Sequence, residues 1–154
     1  MTTYEIETRT LTELDTAVEF TTLSVTDIGP WLGKAFTEVA SYLARKGAGP
    51  AGMPFARYHP TGDERFEVEA GFPASTPTSG EGEVEPSELP GGLAAVTVHT
   101  GSYDSIGLIY EALRVWVREH GGEPVGDAWE VYLTEPDVEP SNQRTEVVQP
   151  YRLV

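Results

Sequence analysis

Two stretches of the chain space their apolar residues with a helical period, and the segments around them alternate. Over residues 28–43, Leu32, Phe36, Val39 and Leu43 recur at the i, i+4, i+7 and i+11 spacing of one buried helical face, which predicts a helix there. Thr26 and Asp27 supply N-cap oxygens, and Pro30 fits a first turn that needs no N–H from it. Gly47, after Arg45 and Lys46, supplies the stop. A second helix is predicted over residues 103–120, where Ile106, Tyr110, Leu113 and Val117 have the same spacing and Gly121 and Gly122 follow. Strand-like runs flank both helices, at residues 17–25, 54–59 and 65–72 and again at 93–100, 128–134 and 145–151.

The order β-α-β-β therefore occurs twice, and the two copies align without drift. Leu32 matches Ile106, Gly33 matches Gly107, Phe36 matches Tyr110, Val39 matches Leu113 and Tyr42 matches Trp116. The register continues through Pro50 with Pro124, Gly52 with Gly126, Phe55 with Trp129 and Tyr58 with Tyr132. Such self-similarity reads as internal duplication. A glycine inside a helix costs about 1 kcal/mol relative to alanine, so its presence at both Gly33 and Gly107 predicts close approach of another backbone. One helix covers one face of a three-stranded sheet, so two units should bury their bare faces together. The expected fold is α+β: duplicated β-α-β-β units with pseudo-twofold symmetry, antiparallel sheets, and helices on the outer faces.

At 154 residues and 39% hydrophobic content the chain suits one domain with a real core. Its expected parts are a first half over 1–73, an acidic linker over 74–92 carrying Glu81, Glu83, Glu85 and Glu88, and a second half over 93–154. With 25 acidic against 10 basic side chains the net charge is −15, which disfavours phosphate contacts and excludes direct nucleic-acid binding as the leading function. There is no cysteine, so disulfides, thiolate metal sites and thiol nucleophiles drop out. The N-terminal stretch lacks the basic-then-apolar pattern of a leader, and no run is long enough to span a bilayer. A soluble, cytoplasmic protein without membrane association is expected. His59, His99 and His120 form no HExxH pattern, and neither a nucleophile elbow nor a phosphate-binding glycine loop is present. No metal or cofactor is expected.

The most informative segment is Ala128-Trp-Glu-Val-Tyr-Leu133. Strand alternation puts Trp129, Val131 and Leu133 on one face and Glu130 and Tyr132 on the other. The apolar set is expected to face the second helix, which directs Glu130 and Tyr132 toward the other half. In the first half Ala56 stands where Glu130 does and Tyr58 stands where Tyr132 does, so the duplication leaves one carboxylate beside open volume. An unpaired buried carboxylate takes up a proton, finds hydroxyl donors, or awaits a cation, and aromatic faces attract cations as well. Trp31, Tyr58, Phe72, Tyr103, Trp116 and Tyr132 are the candidate walls around Glu130. Against this stands the plain reading of Glu130 as a salt-bridged residue on an exposed sheet face, and of the tyrosines as cross-strand packing.

Gly101-Ser-Tyr103, Tyr110, Leu113, Trp116, Gly122, Gly126, Trp129-Glu130-Val131-Tyr132 and Pro136 together resemble the gyrase-inhibitor-like (GyrI-like) domains, whose fold also forms the effector-binding part of AraC-type and MerR-type multidrug regulators. The resemblance covers nearly the whole chain, and the Glu-x-Tyr strand is its most specific piece. It implies a pocket between the halves in which a buried glutamate meets lipophilic cations; Glu130 matches that glutamate, and Tyr132 comes with the same motif. The regulators carry a helix-turn-helix segment ahead of this domain, whereas here the repeat begins within the first twenty residues, so the expectation is a stand-alone form without a DNA-reading module.

Three functions remain open on the sequence. The leading one is a multidrug-binding protein for hydrophobic, cationic aromatic compounds, with Glu130, Tyr132, Tyr58, Trp31, Phe72, Tyr103 and Trp116 in contact with the ligand. The second is a hydrolase of cyclopropanoid or similar reactive natural products, implied by the resemblance, with Glu130 as general acid or base and Tyr132 stabilising a developing oxyanion. The third is a protein-interaction role such as gyrase inhibition, for which no partner surface is identified.

Overall fold

The helical stripes form as the spacing predicts, rotated slightly toward smaller side chains. In the computed structural model, which describes residues 4–101, 107–135 and 137–154, helix α1 spans Ile28–Arg45 and buries Ala35, Val39, Tyr42 and Leu43, while Leu32 and Phe36 are half-buried. Helix α2 spans Gly107–Glu119 and buries Ile109, Leu113 and Val117. The strands are β1 Glu7–Leu11, β2 Leu14–Ser24, β3 Phe55–Gly62, β4 Arg65–Pro73, β5 Glu85–Leu89, β6 Gly92–Thr100, β7 Gly122–Pro124, β8 Trp129–Tyr132 and β9 Arg144–Leu153. The fold is α+β, and the strand pairs within each compact unit are antiparallel.

The chain divides into two compact units. The first is Glu13–Leu89; the second joins the residues up to Thr12 to Pro90–Val154. In the first unit β4 pairs with β3 and β2, and β2 pairs with β5. One rung runs Phe55, Gly71, Val18, Glu85. In the second unit β9 pairs with β8, β7 and β6, and β6 pairs with β1. The corresponding rung runs Trp129, Val148, Val96, Glu7. Each unit thus has the same four-strand order, with a helix packed on one face of its sheet: Val39, Tyr42 and Leu43 against Ala17 and Phe72 in the first, and Ile109, Leu113 and Val117 against Ala95, Val147 and Tyr151 in the second. Strand β1, which local pattern did not reveal, is the partner that closes β6.

Of the stretch expected to be an acidic linker over 74–92, residues 74–89 are part of the first unit, and Gly92 opens β6 of the second. The stretch's strand β5 lies on the edge beside β2, where Pro86 is tolerated because an edge strand does not need every N–H. Ala74, Val84 and Leu89 are buried, and the Tyr42 hydroxyl accepts a hydrogen bond from the Gly80 N–H at 3.0 Å. Two of its glutamates meet cations of α1: Glu81 meets Arg45 and Glu83 meets Lys34, each at 2.9 Å. Composition alone predicts solvation here; a few small apolar anchors and basic partners on the adjacent helix reverse it.

The helix glycines also differ from expectation. A Cβ built at Gly33 or Gly107 meets nothing within 4 Å among the described residues, so neither marks a close approach of their backbone. That role falls to Gly71 on β4, where a Cβ would lie 1.9 Å from the Ala17 carbonyl oxygen, a contact no side chain permits.

Candidate functional site

Glu130 is 6% exposed and lies in the second unit on β8, where it pairs with Val147 of β9. Val147 belongs to the cluster under α2, and directly opposite residues on antiparallel strands point to the same side, so Glu130 faces α2. The expected orientation was the reverse, with the apolar set of β8 toward the helix. Period two sorts a strand into two faces but does not say which face meets the helix. Here Val131 points the other way, opposite Glu146, whose carboxylate meets Arg9 at 3.0 Å.

Two hydroxyls hold the carboxylate. Tyr132 Oη donates to Glu130 Oε1 at 2.8 Å from the same face of the same strand, and Tyr110 Oη donates a short hydrogen bond to Oε2 from the first turns of α2. The sequence placed Tyr110 on the buried stripe of the second helix and not among the candidate site residues. A tyrosine on a stripe that meets a sheet needs a partner for its hydroxyl, and that requirement was the available signal. His99 of β6 and Thr145 of β9 complete the polar patch: Thr145 pairs with both Tyr132 and His99, so all three side chains share the α2 face. His99 is 8% exposed and Thr145 is fully buried.

Burial pushes the Glu130 carboxyl above the usual carboxylate range, because the charged form loses its hydration. The Tyr110 and Tyr132 hydrogen bonds and the charge of His99 pull it partly back. Among the described residues no lysine or arginine forms an ion pair with it. The result is a carboxyl with a raised proton affinity, held by two neutral hydroxyl donors.

Among the aromatic candidates, Trp116 packs against the α2 cluster, stacked on His120 at a centroid distance of 3.9 Å and edge-on to Tyr151 at 6.3 Å, further along the helix than Tyr110. In the first unit Tyr58 is edge-on to Phe66 at 6.4 Å, Phe72 is edge-on to Phe36 at 5.8 Å, and Trp31 is half-buried in the first turn of α1. Tyr103 lies outside the described residues.

A second carboxylate, missed from the sequence, is buried in the first unit. Glu19 is 2% exposed and shares a rung with Ala70 and Ala56 on the face toward α1. Lys34 Nζ lies 3.5 Å from it, 2.7 Å from Glu38 and 2.9 Å from Glu83, and oxygens of these three carboxylates lie within 4.8 Å of one another. Burial raises the Glu19 carboxyl, the Glu38 charge adds to this and Lys34 opposes it. The two units thus treat a buried glutamate differently: the first gives it an ammonium, the second gives it two phenols.

The sequence matches the profile of the GyrI-like small molecule binding domain over residues 7–152. A search of curated protein sequences returns no match. Among solved structures, the EcmrR C-terminal domain superposes with a TM-score of 0.76 at 19% identity, over 98% of this chain and 99% of that one. The chain spans 58% of the EcmrR chain seen in its complex with DNA. A hydrolase from Listeria innocua matches with a TM-score of 0.68 at 10% identity, over 96% of this chain and 92% of that one. SAV2435 bound to tetraphenylphosphonium matches at 0.64 and 13% identity, over 96% and 94%. At these identities the likeness to solved structures is one of fold. No helix among the described residues is long and apolar enough to cross a membrane.

Proposed function

The chain belongs to the GyrI-like family of small molecule binding domains, and on that premise we propose that it binds lipophilic, cationic aromatic compounds over the Glu130 carboxylate. The observation that carries this reading is a buried carboxylate held by the hydroxyls of Tyr110 and Tyr132, with no lysine or arginine among the described residues in an ion pair with it. A cation bound there supplies the charge that burial withholds, and the phenol rings offer faces that attract it. The ligand of SAV2435, a bulky lipophilic cation, has the chemistry this arrangement asks for. Trp116, on the same unit as Glu130, is assigned to ligand contact on the same reading, to be tested by its leucine variant. The matching rungs of the two units support an origin by duplication of one β-α-β-β element.

Fluorescence titration with tetraphenylphosphonium tests the reading. Wild type is expected to bind at micromolar concentration or better, and Glu130→Gln to lose at least tenfold in affinity. Equal binding by the two proteins removes the carboxylate from the account.

A second reading is favoured by the raised Glu130 carboxyl, since a carboxyl that burial makes hold its proton more tightly is suited to general acid–base work, and Tyr132 or Tyr110 can donate to a developing oxyanion. The Listeria innocua protein described as a hydrolase shares the fold. Mass analysis of recovered ligand separates the two: a binder returns it unchanged, whereas a hydrolase returns it with water added, repeatedly per protein molecule.

A further inference from the structure

Next to Glu130 the second unit buries a polar atom that no described residue hydrogen-bonds. Among the described residues of that unit, Thr145 Oγ1 is the buried side-chain polar atom without a hydrogen-bond partner, and Thr145 is fully buried. Threonine in a strand is commonplace, but a buried hydroxyl with no partner costs free energy that valine of the same shape avoids.

Its position gives the cost a use. Thr145 is directly opposite Tyr132, while Glu130 is directly opposite Val147, two residues further along β9. Thr145 is therefore the diagonal neighbour of Glu130 on the α2 side, at about 7–8 Å between the two positions, a gap that both side chains narrow. On the far side Thr145 is paired with His99, whose charge acts on Glu130. The α2 face of β6, β9 and β8 thus carries the Glu130 carboxyl, its donor Tyr132, and beside them an uncharged hydroxyl that can both donate and accept, while the second donor, Tyr110, comes from α2 itself.

We infer that Thr145 forms a hydrogen-bonding subsite adjoining Glu130, so that the preferred ligands are protonated amines with a hydroxyl or carbonyl a few bonds from the charge. The inference rests on the Glu130 reading above and adds a class preference to it. A quaternary phosphonium satisfies the carboxylate but leaves Thr145 unpaired. An amino alcohol satisfies both groups, its ammonium on Glu130 and its oxygen on Thr145. The discrimination is of the kind that buried polar groups provide: an analogue lacking the matching oxygen leaves the threonine unsatisfied and is penalised for it.

The test compares a naphthyl-bearing secondary amine carrying a β-hydroxyl with the same amine lacking it, titrated by calorimetry at pH 7.5 against the full chain and its Thr145→Val, Thr145→Ser and Glu130→Gln variants. The hydroxylated amine is expected to bind wild type about tenfold more tightly than its deoxy analogue. Thr145→Val should bring the ratio to near one while leaving the deoxy amine's affinity unchanged, and Thr145→Ser should keep the preference. A ratio near one in wild type, or a preference that survives Thr145→Val, overturns the subsite while leaving Glu130 dependence intact. If neither amine binds, or both bind Glu130→Gln as well as wild type, the Glu130 reading itself fails and the subsite with it. Thr145→Val preserves shape and removes only an unpaired hydroxyl, so a folding defect is not expected to obscure the comparison.

Discussion

Tyr132 Oη donates to Glu130 Oε1 at 2.8 Å across a single intervening residue of the same strand, so donor and acceptor are fixed relative to each other by the pleat itself. Tyr110 reaches the other carboxylate oxygen from α2 and ties the helix to the strand beneath it. Both hydrogen bonds favour the ionised form. Replacing either tyrosine by phenylalanine should therefore raise the Glu130 carboxyl further. Cation affinity at neutral pH should fall about tenfold, and the midpoint of its rise with pH should move upward. Titrations of Tyr132→Phe and Tyr110→Phe across pH 5–9 check this; an unshifted midpoint would show that the phenols do not stabilise the charge.

Stability should depend on pH with a definite sign. Burial holds the Glu130 carboxyl above its unfolded value, so between the unfolded value, about 4.3, and the folded one the native state binds more protons than the unfolded chain. Stability then falls as pH rises through that window and levels off above the folded value. Glu130→Gln, which cannot ionise, should be more stable than wild type at pH 8 and show a smaller difference at pH 4. Urea unfolding of the two proteins at both pH values gives the comparison directly.

In the first unit the ammonium of Lys34 is shared among Glu19, Glu38 and Glu83, and Glu19 is the buried member. Lys34→Met should lower the melting temperature at neutral pH, because Glu19 is left buried without a counter-charge. Adding Glu19→Gln should recover most of the loss. The double-mutant cycle is the measurement; a loss that Glu19→Gln fails to relieve would place the role of Lys34 with the two exposed glutamates.

Tyr42 anchors the 74–89 stretch by accepting the Gly80 N–H at 3.0 Å. Tyr42→Phe should cost about 1–3 kcal/mol in denaturant unfolding, since it leaves that amide without its acceptor. It should also speed hydrogen exchange at Gly80 relative to the amides of β2. Unchanged exchange at Gly80 would mean that β5 and its ion pairs hold the stretch without the tyrosine.

Local rules made much of this protein legible. A 3.6-residue period located α1 and α2, and alternation placed Glu130 and Tyr132 on one strand face, where they hydrogen-bond each other. The Glu-x-Tyr strand within a repeated frame pointed to the family that the profile match shows.

What the sequence by itself determined was the partition of residues into faces, because pleat and helix pitch are properties of adjacent residues. Only the tertiary structure decided which face meets what: that Glu130 turns toward α2 and finds Tyr110, that Thr145 lies beside it without a partner, that β1 closes β6, and that the acidic stretch contributes an edge strand and two ion pairs to the first unit. Each of these is a pairing between residues far apart in the chain. Local periodicity carries no information about such pairings, and their free energy exists only once both partners are in place.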